Sequence, residues 1–179
     1  GVGGLVAPLP SLATDGSRVA VAWSTARDAG AQLIVAESSD GQTWTDISPP
    51  PAPPGATETF AEAGYDQAGG LWIASARFSN ATTSFVVRRR ATQQWTEPTE
   101  LATGASGSFL EFGQTLGLAL NPTALFVAAP VDSATEATLE VVKLELPPEA
   151  LPAPDVPEQD DGDAGTTAGS SVPNAPATP

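Results

Sequence analysis

Two apolar runs recur along the chain at matched intervals. Val19–Ala22, Leu71–Ala74 and Leu125–Ala128 are offset by 52 and then 54 residues. Leu33–Val35, Phe85–Val87 and Leu139–Val141 keep the same two offsets. Two independent runs sharing both offsets define a repeat. A repeat of this period means that each copy is one supersecondary unit, which buries its apolar face only by stacking on the next. The runs are short, β-branched or aromatic, and lie between Gly, Pro, Asn and Asp clusters with no long 3.6-residue periodicity, so the units are built from strands.

Each copy of the first run follows a turn signal: Asp15-Gly16, Asp66-Gln67-Ala68-Gly69-Gly70 and Asn121-Pro122-Thr123. These residue types tolerate the tight backbone of a hairpin. Ahead of each turn lies another short run (Leu9 to Ala13, Phe60 to Tyr65, Thr115 to Leu120) rich in Ala, Gly and Ser. After the second series, the first two units close with Trp44 and Trp95. A unit therefore reads strand, tight turn, strand, loop, strand, turn, strand. Four antiparallel strands in about 50 residues make a β-propeller blade, and small residues suit a leading strand that crowds the central axis. The expected fold class is all-β: a partial β-propeller of about three four-stranded antiparallel blades over residues 1–149, near 5–48, 57–102 and 113–148.

Closed propellers have four to eight blades, and this repeat stops at three. The third unit lacks a convincing fourth strand, because Pro147 and Pro148 cannot donate to a ladder. Closure needs missing blades or a second copy of the chain; the absent Met and the Gly-rich start favour a fragment. Residues 150–179 are expected to be a disordered acidic tail or linker. From Leu144 onward there are seven acids, no base and eight of the eighteen prolines, too little apolar area to offset chain entropy. Asp160-Asp161-Gly162-Asp163 lacks the loop length and closing Glu of a calcium loop and reads as linker.

The turn closing the first unit is Ser38-Ser39-Asp40-Gly41-Gln42-Thr43-Trp44. It resembles an Asp-box, the bacterial neuraminidase repeat, in its short form Ser-x-Asp-Gly-x-Thr-Trp. Asp40 is suited to accept successive turn N–H groups, Gly41 to supply a positive φ, and Thr43 to start the last strand. Trp44 is expected to anchor the turn against the sheet, so that Trp44→Ala costs about 3–5 kcal/mol. The second unit keeps a decayed version, Ala91-Thr92-Gln93-Gln94-Trp95, and the third has none. The resemblance implies a sialidase-like superfamily propeller in which Ser38, Asp40, Gly41, Thr43 and Trp44 are structural, lying away from the central binding face.

A sialidase would also bring three carboxylate-clamping arginines, a Tyr nucleophile paired with Glu, and an Asp acid/base. The family's early Arg-Ile-Pro motif is absent. The single Tyr, Tyr65, has its nearest acid, Glu62, three residues back and on the opposite strand face, so no nucleophile–base pair is assembled and no catalytic residue is assigned. Arg88-Arg89-Arg90 reads as a solvated outer strand end, with Arg88 and Arg90 on one face. The better ligand-face residues are Arg27, Asp28, Arg77 and Asn80, in loops after the second strands, with Asp132 and Glu136 beside them. Asn80-Ala81-Thr82 matches a glycosylation sequon.

With no Cys, His or Met, the usual zinc, haem and iron–sulfur ligand sets are missing, as is every imidazole-dependent nucleophile. Hence no metal and no cofactor are expected. Twenty-one acids against seven bases disfavour nucleic acid, and no apolar stretch is long enough for a helical membrane span. Many Ala, Pro and Gly residues and six Arg against one Lys suggest a bacterial coding sequence. The expected function is a non-catalytic secreted, periplasmic or cell-surface module that binds glycan or protein. The competing class is part of a sialidase-like glycoside hydrolase whose catalytic residues lie mostly outside this chain.

Overall fold

The computed structural model describes residues 9–27, 30–79, 82–105, 116–132 and 137–147; the acidic tail expected at 150–179 lies outside them. The described residues form strands and no helix. Strands β1 (Ser11–Thr14), β2 (Val19–Arg27), β3 (Gly30–Ser38) and β4 (Thr45–Asp46) make a four-stranded antiparallel sheet in chain order. Next come β5 (Thr57–Tyr65), β6 (Leu71–Phe78), β7 (Thr82–Ala91), β8 (Gln94–Trp95) and β9 (Thr99–Ala105). Here β8 and β9 both pair with β7, one at each end, so they share the place of a single outer strand. The third sheet holds β10 (Gly117–Leu120), β11 (Ala124–Asp132) and β12 (Ala137–Glu145), with no fourth strand among the described residues.

The repeat read from the sequence is also a repeat of register. Ala22 lies opposite Val35, Ala74 opposite Val87, and Ala128 opposite Val141. These positions look toward the following sheet. Ala22 and Val35 belong to a core shared with Leu71 and Ile73 of the second sheet. Ala74 and Val87 belong to a core shared with Leu125 and Val127 of the third. The second sheet is therefore covered on both faces, which is why β6 and β7 read as nearly continuous buried runs. In the third sheet the corresponding Val141 is 55% exposed, and Leu139 beside it is exposed too.

The leading strands meet where the sheets converge. Ser11 donates to Glu62 at 2.8 Å and accepts the N–H of Ala63. Gly64 leaves room for the Leu120 side chain, which a Cβ there would meet at 2.5 Å. Strand β5 bulges between Thr59 and Glu62, with Phe60 at φ 55°. One extra residue reverses which side chains share a face, and so turns Glu58 toward Arg77, its register partner.

The two unit-closing tryptophans differ in burial. Trp44 is 44% exposed, a correction to its reading as a buried anchor. Strand β4 holds only two residues, both exposed, so the turn has little sheet to lie on. Trp95, from the decayed version, packs against the core between sheets one and two and donates its indole N–H to the Ile47 carbonyl at 2.7 Å. Trp95→Ala is thus expected to cost about 2–4 kcal/mol and Trp44→Ala less than about 1.5 kcal/mol. Urea melts of the two variants check the order.

Candidate functional site

The turn after β3 is held entirely by its own residues. Asp40 Oδ1 accepts the N–H of Gln42 at 2.8 Å, the N–H of Thr43 at 2.7 Å and the Ser38 hydroxyl at 3.0 Å. The Ser38 hydroxyl oxygen in turn accepts the N–H of Gly41 at 2.9 Å, and Gly41 takes φ 71°. The N–H groups of Thr43 and Gln42, with the Ser38 hydroxyl, hold the Asp40 carboxyl well below the usual Asp value of 3.8. A carboxyl depressed on folding stabilises above its unfolded value and loses that contribution as pH falls below it. Asp40→Asn keeps an acceptor oxygen but cannot titrate. Its melting temperature should therefore fall less steeply than wild type over about pH 4 to 2, as followed by thermal melts across that range.

A polar network bridges sheets one and two beside this turn. Asp15 Oδ2 receives Nε of Arg18 at 2.9 Å and Nη2 at 2.5 Å. Nη2 also donates to the Gly69 carbonyl at 2.8 Å, and Nη1 to Glu37 Oε1 at 3.3 Å. The Arg18 guanidinium lies 5.0 Å from the centre of the Tyr65 ring. Tyr65 donates its hydroxyl to the same Glu37 Oε1 at 2.8 Å. Burial, then the Glu37 hydrogen bond and charge, push the phenol pKa up. For Asp15, burial raises the carboxyl, but the N–H of Ser17 and the Arg18 guanidinium outweigh it and hold it well below 3.8. Glu37 Oε2 faces Arg90 Nη1 at 3.7 Å across a groove of about 610 Å³.

The basic run is a second correction. Arg88 is 3% exposed and Arg89 is as deeply buried, because β7 belongs to the sheet covered on both faces. Alternation places Arg88 and Arg90 on one face and Arg89 on the other. Arg88 Nη2 donates to both Glu58 oxygens at 2.7 Å, and Nη1 to the Pro50 carbonyl at 3.2 Å. Glu58 also receives Nε and Nη2 of Arg77 at 3.0 and 2.8 Å, and the Ser75 hydroxyl at 3.3 Å. Desolvation, and after it the nearby Arg77 charge, lower the Arg88 pKa against the pull of Glu58. On the other face, Asp66 Oδ2 takes Arg89 Nε at 2.7 Å and the Trp72 indole N–H at 2.8 Å. Its Oδ1 takes the N–H groups of Ala68 and Gly70.

Ser38, Asp40, Gly41 and Thr43 thus come together in one turn, with Trp44 beside it. Arg77 lies inside β6, paired with Glu58, rather than in the loop beyond. Arg27 ends β2 and Asp132 ends β11, but their side chains, like Asp28, Asn80 and Glu136, lie outside the described residues. Sequence reading missed Glu37, Glu58 and Arg90. One signal for the buried arginines was available: they continue the run Phe85–Val87 in the middle unit of a stack.

No family model matches the chain, and no curated protein matches it in sequence. Among solved structures it is similar to the Hadza microbial sialidase Hz136, at 14% identity and a TM-score of 0.52 over 75% of this chain. It is also similar to the Bombyx mori GH32 beta-fructofuranosidase BmSUC1 (11% identity, TM-score 0.49, 82% of this chain). A third is the catalytic domain of the Coprinopsis cinerea GH62 alpha-L-arabinofuranosidase (14%, 0.48, 78%). The chain spans 30%, 35% and 46% of those structures respectively. The likeness to the sialidase is one of fold, so the three sheets are propeller-like blades.

Glu58 is the anion that Arg77 and Arg88 share; Arg77 also faces Glu100 at 3.8 Å, so removing Glu58 bears hardest on Arg88. Glu58→Gln should cost about 3–5 kcal/mol, whereas Glu58→Leu combined with Arg88→Met should recover much of that loss. Denaturant melts of the single and double variants measure the difference.

Proposed function

We propose that the chain is a non-catalytic Asp-box propeller module that binds glycan or protein on a secreted, periplasmic or cell-surface molecule. The observation that carries this reading is the internal pairing of its chemically capable side chains. Arg77 and Arg88 both pair with Glu58, Arg89 pairs with Asp66, and the Tyr65 hydroxyl donates to Glu37, with burial pushing its pKa up. The self-bonded turn from Ser38 to Thr43 supports its reading as a structural Asp-box. Likeness to a sialidase fold is consistent with a glycan-related role, although fold alone does not carry function.

The open face of the third sheet supports the further reading that the chain is one part of a larger propeller. Val141 occupies the position that Val35 and Val87 use to pack on the following sheet. Another blade belongs there. The isolated chain is expected to bind a hydrophobic dye and to self-associate in light scattering, and a Val141→Lys/Leu139→Lys variant to do both less.

The second reading, part of a sialidase-like glycoside hydrolase, is favoured by the Tyr65–Glu37 hydrogen bond, which brings together the residue types of that family's nucleophile and base. A fluorogenic sialoside separates the two. No turnover is expected from this chain, and a rate abolished by Tyr65→Phe would establish the hydrolase reading instead.

A further inference from the structure

We propose that the groove between sheets one and two, at their turn ends, is a binding site for a neutral, hydroxyl-rich sugar, with Arg90 and Glu37 as its polar pair. The inference rests on the glycan side of the module reading above and assigns it a place and a ligand class. Most of the network beside the groove is already satisfied. Arg18 is held by Asp15, Gly69 and Glu37, and Glu37 Oε1 by Tyr65 and Arg18. The Arg90 guanidinium and Glu37 Oε2 are different. Among the described residues neither makes a hydrogen bond, and they face one another at 3.7 Å, beyond hydrogen-bond length. Arg90 nonetheless has a side chain only 14% exposed. A largely buried guanidinium with free donors thus stands beside a carboxylate oxygen with free lone pairs, both residues lining the same groove.

That arrangement matches a hydroxyl. A sugar O–H can donate to Glu37 Oε2 while its oxygen accepts from Arg90, so both groups are satisfied by one ligand atom. Thr43, Thr45 and Gln93 add polar groups to the groove, with Ile47 as an apolar patch, and its volume of about 610 Å³ is within the range of small-molecule sites. An acidic sugar fits less well. Its carboxylate on Arg90 would lie against Glu37, and Arg18, the other cation lining the groove, is already paired with Asp15 and Glu37, in a chain with 21 acids and 7 bases. A neutral ligand avoids this repulsion.

The test is the wild-type chain on a glycan array carrying neutral xylo-, arabino-, manno- and fructo-oligosaccharides beside sialyllactose and oligogalacturonate. Calorimetry then follows with the neutral oligosaccharide bound best. Arg90→Met and Glu37→Gln should each weaken that binding by about ten-fold or more, the loss of a charge-assisted hydrogen bond. Gln93→Trp, at an exposed turn position whose φ of 69° strains a bulky residue, should weaken it by obstructing the groove while the chain still melts cooperatively. Neutral-glycan binding that survives both Arg90→Met and Gln93→Trp overturns this site and leaves the module reading standing. Binding to the acidic glycans alone overturns the ligand class. A chain that binds no glycan on the array overturns the inference together with the glycan side of the module reading.

Discussion

The middle sheet is buried on both faces, and Glu58 makes that burial possible. A blade between two others cannot send its charges to water, and an unpaired guanidinium there would cost more than local packing returns. Arg88 and Arg77 converge on the Glu58 carboxylate, with Ser75 adding a hydroxyl. The bulge in β5 turns Glu58 into this position, so a single extra residue in the leading strand sets the charge balance of the interface. The compensation is incomplete, since Arg88 Nε is buried without a hydrogen-bond partner among the described residues. On the opposite face Asp66 does the same for Arg89 and fixes its own turn as well. Gly70 is needed there because a Cβ would sit 2.4 Å from Arg89 Nε.

The fold was legible to the extent that it is periodic. Equal offsets in two runs imply equal register in three sheets, and the Ala–Val pairs 22–35, 74–87 and 128–141 bear this out. The same logic explains Val141, whose exposure is the repeat continuing without a following sheet among the described residues. The basic run was misread for a related reason. Three adjacent arginines look like a solvated strand end when the strand is considered alone. Only its rank in the stack, middle of three, says that both faces are covered.

The network around Glu37 was not legible, because Arg18 shares its repeat unit but Tyr65 and Arg90 do not. Tyr65 lies 28 residues on, at the end of the leading strand of the next unit, and Arg90 is the last residue but one of the third strand of that unit. Whether such residues meet depends on how two sheets are inclined, which hydrophobic spacing does not encode. A strand's alternation correctly kept Tyr65 away from Glu62. It could not show that Glu37 would take the place of Glu62 from the neighbouring sheet.

The turns around the groove also explain why Trp44 can be exposed without loss of order. Every hydrogen bond of the Ser38–Thr43 turn is made within a few residues, and the Asp66–Gly70 turn is likewise closed on its own carboxylate. The first depends on no aromatic clamp, while the Asp66 carboxylate of the second also takes the Trp72 indole N–H. The groove is therefore bordered by backbone that is already fixed, and its polar side chains emerge from strand ends rather than from long loops. A ligand entering it would not have to order the chain, so less of each new hydrogen bond would be offset by lost conformational freedom. The interior charge pairs and the turn-end groove in this way have one physical origin. Each blade satisfies most of its own backbone locally, and polar side chains such as Ser11, Arg18 and Trp95 bond to the backbone of the neighbouring blade and join one to the next.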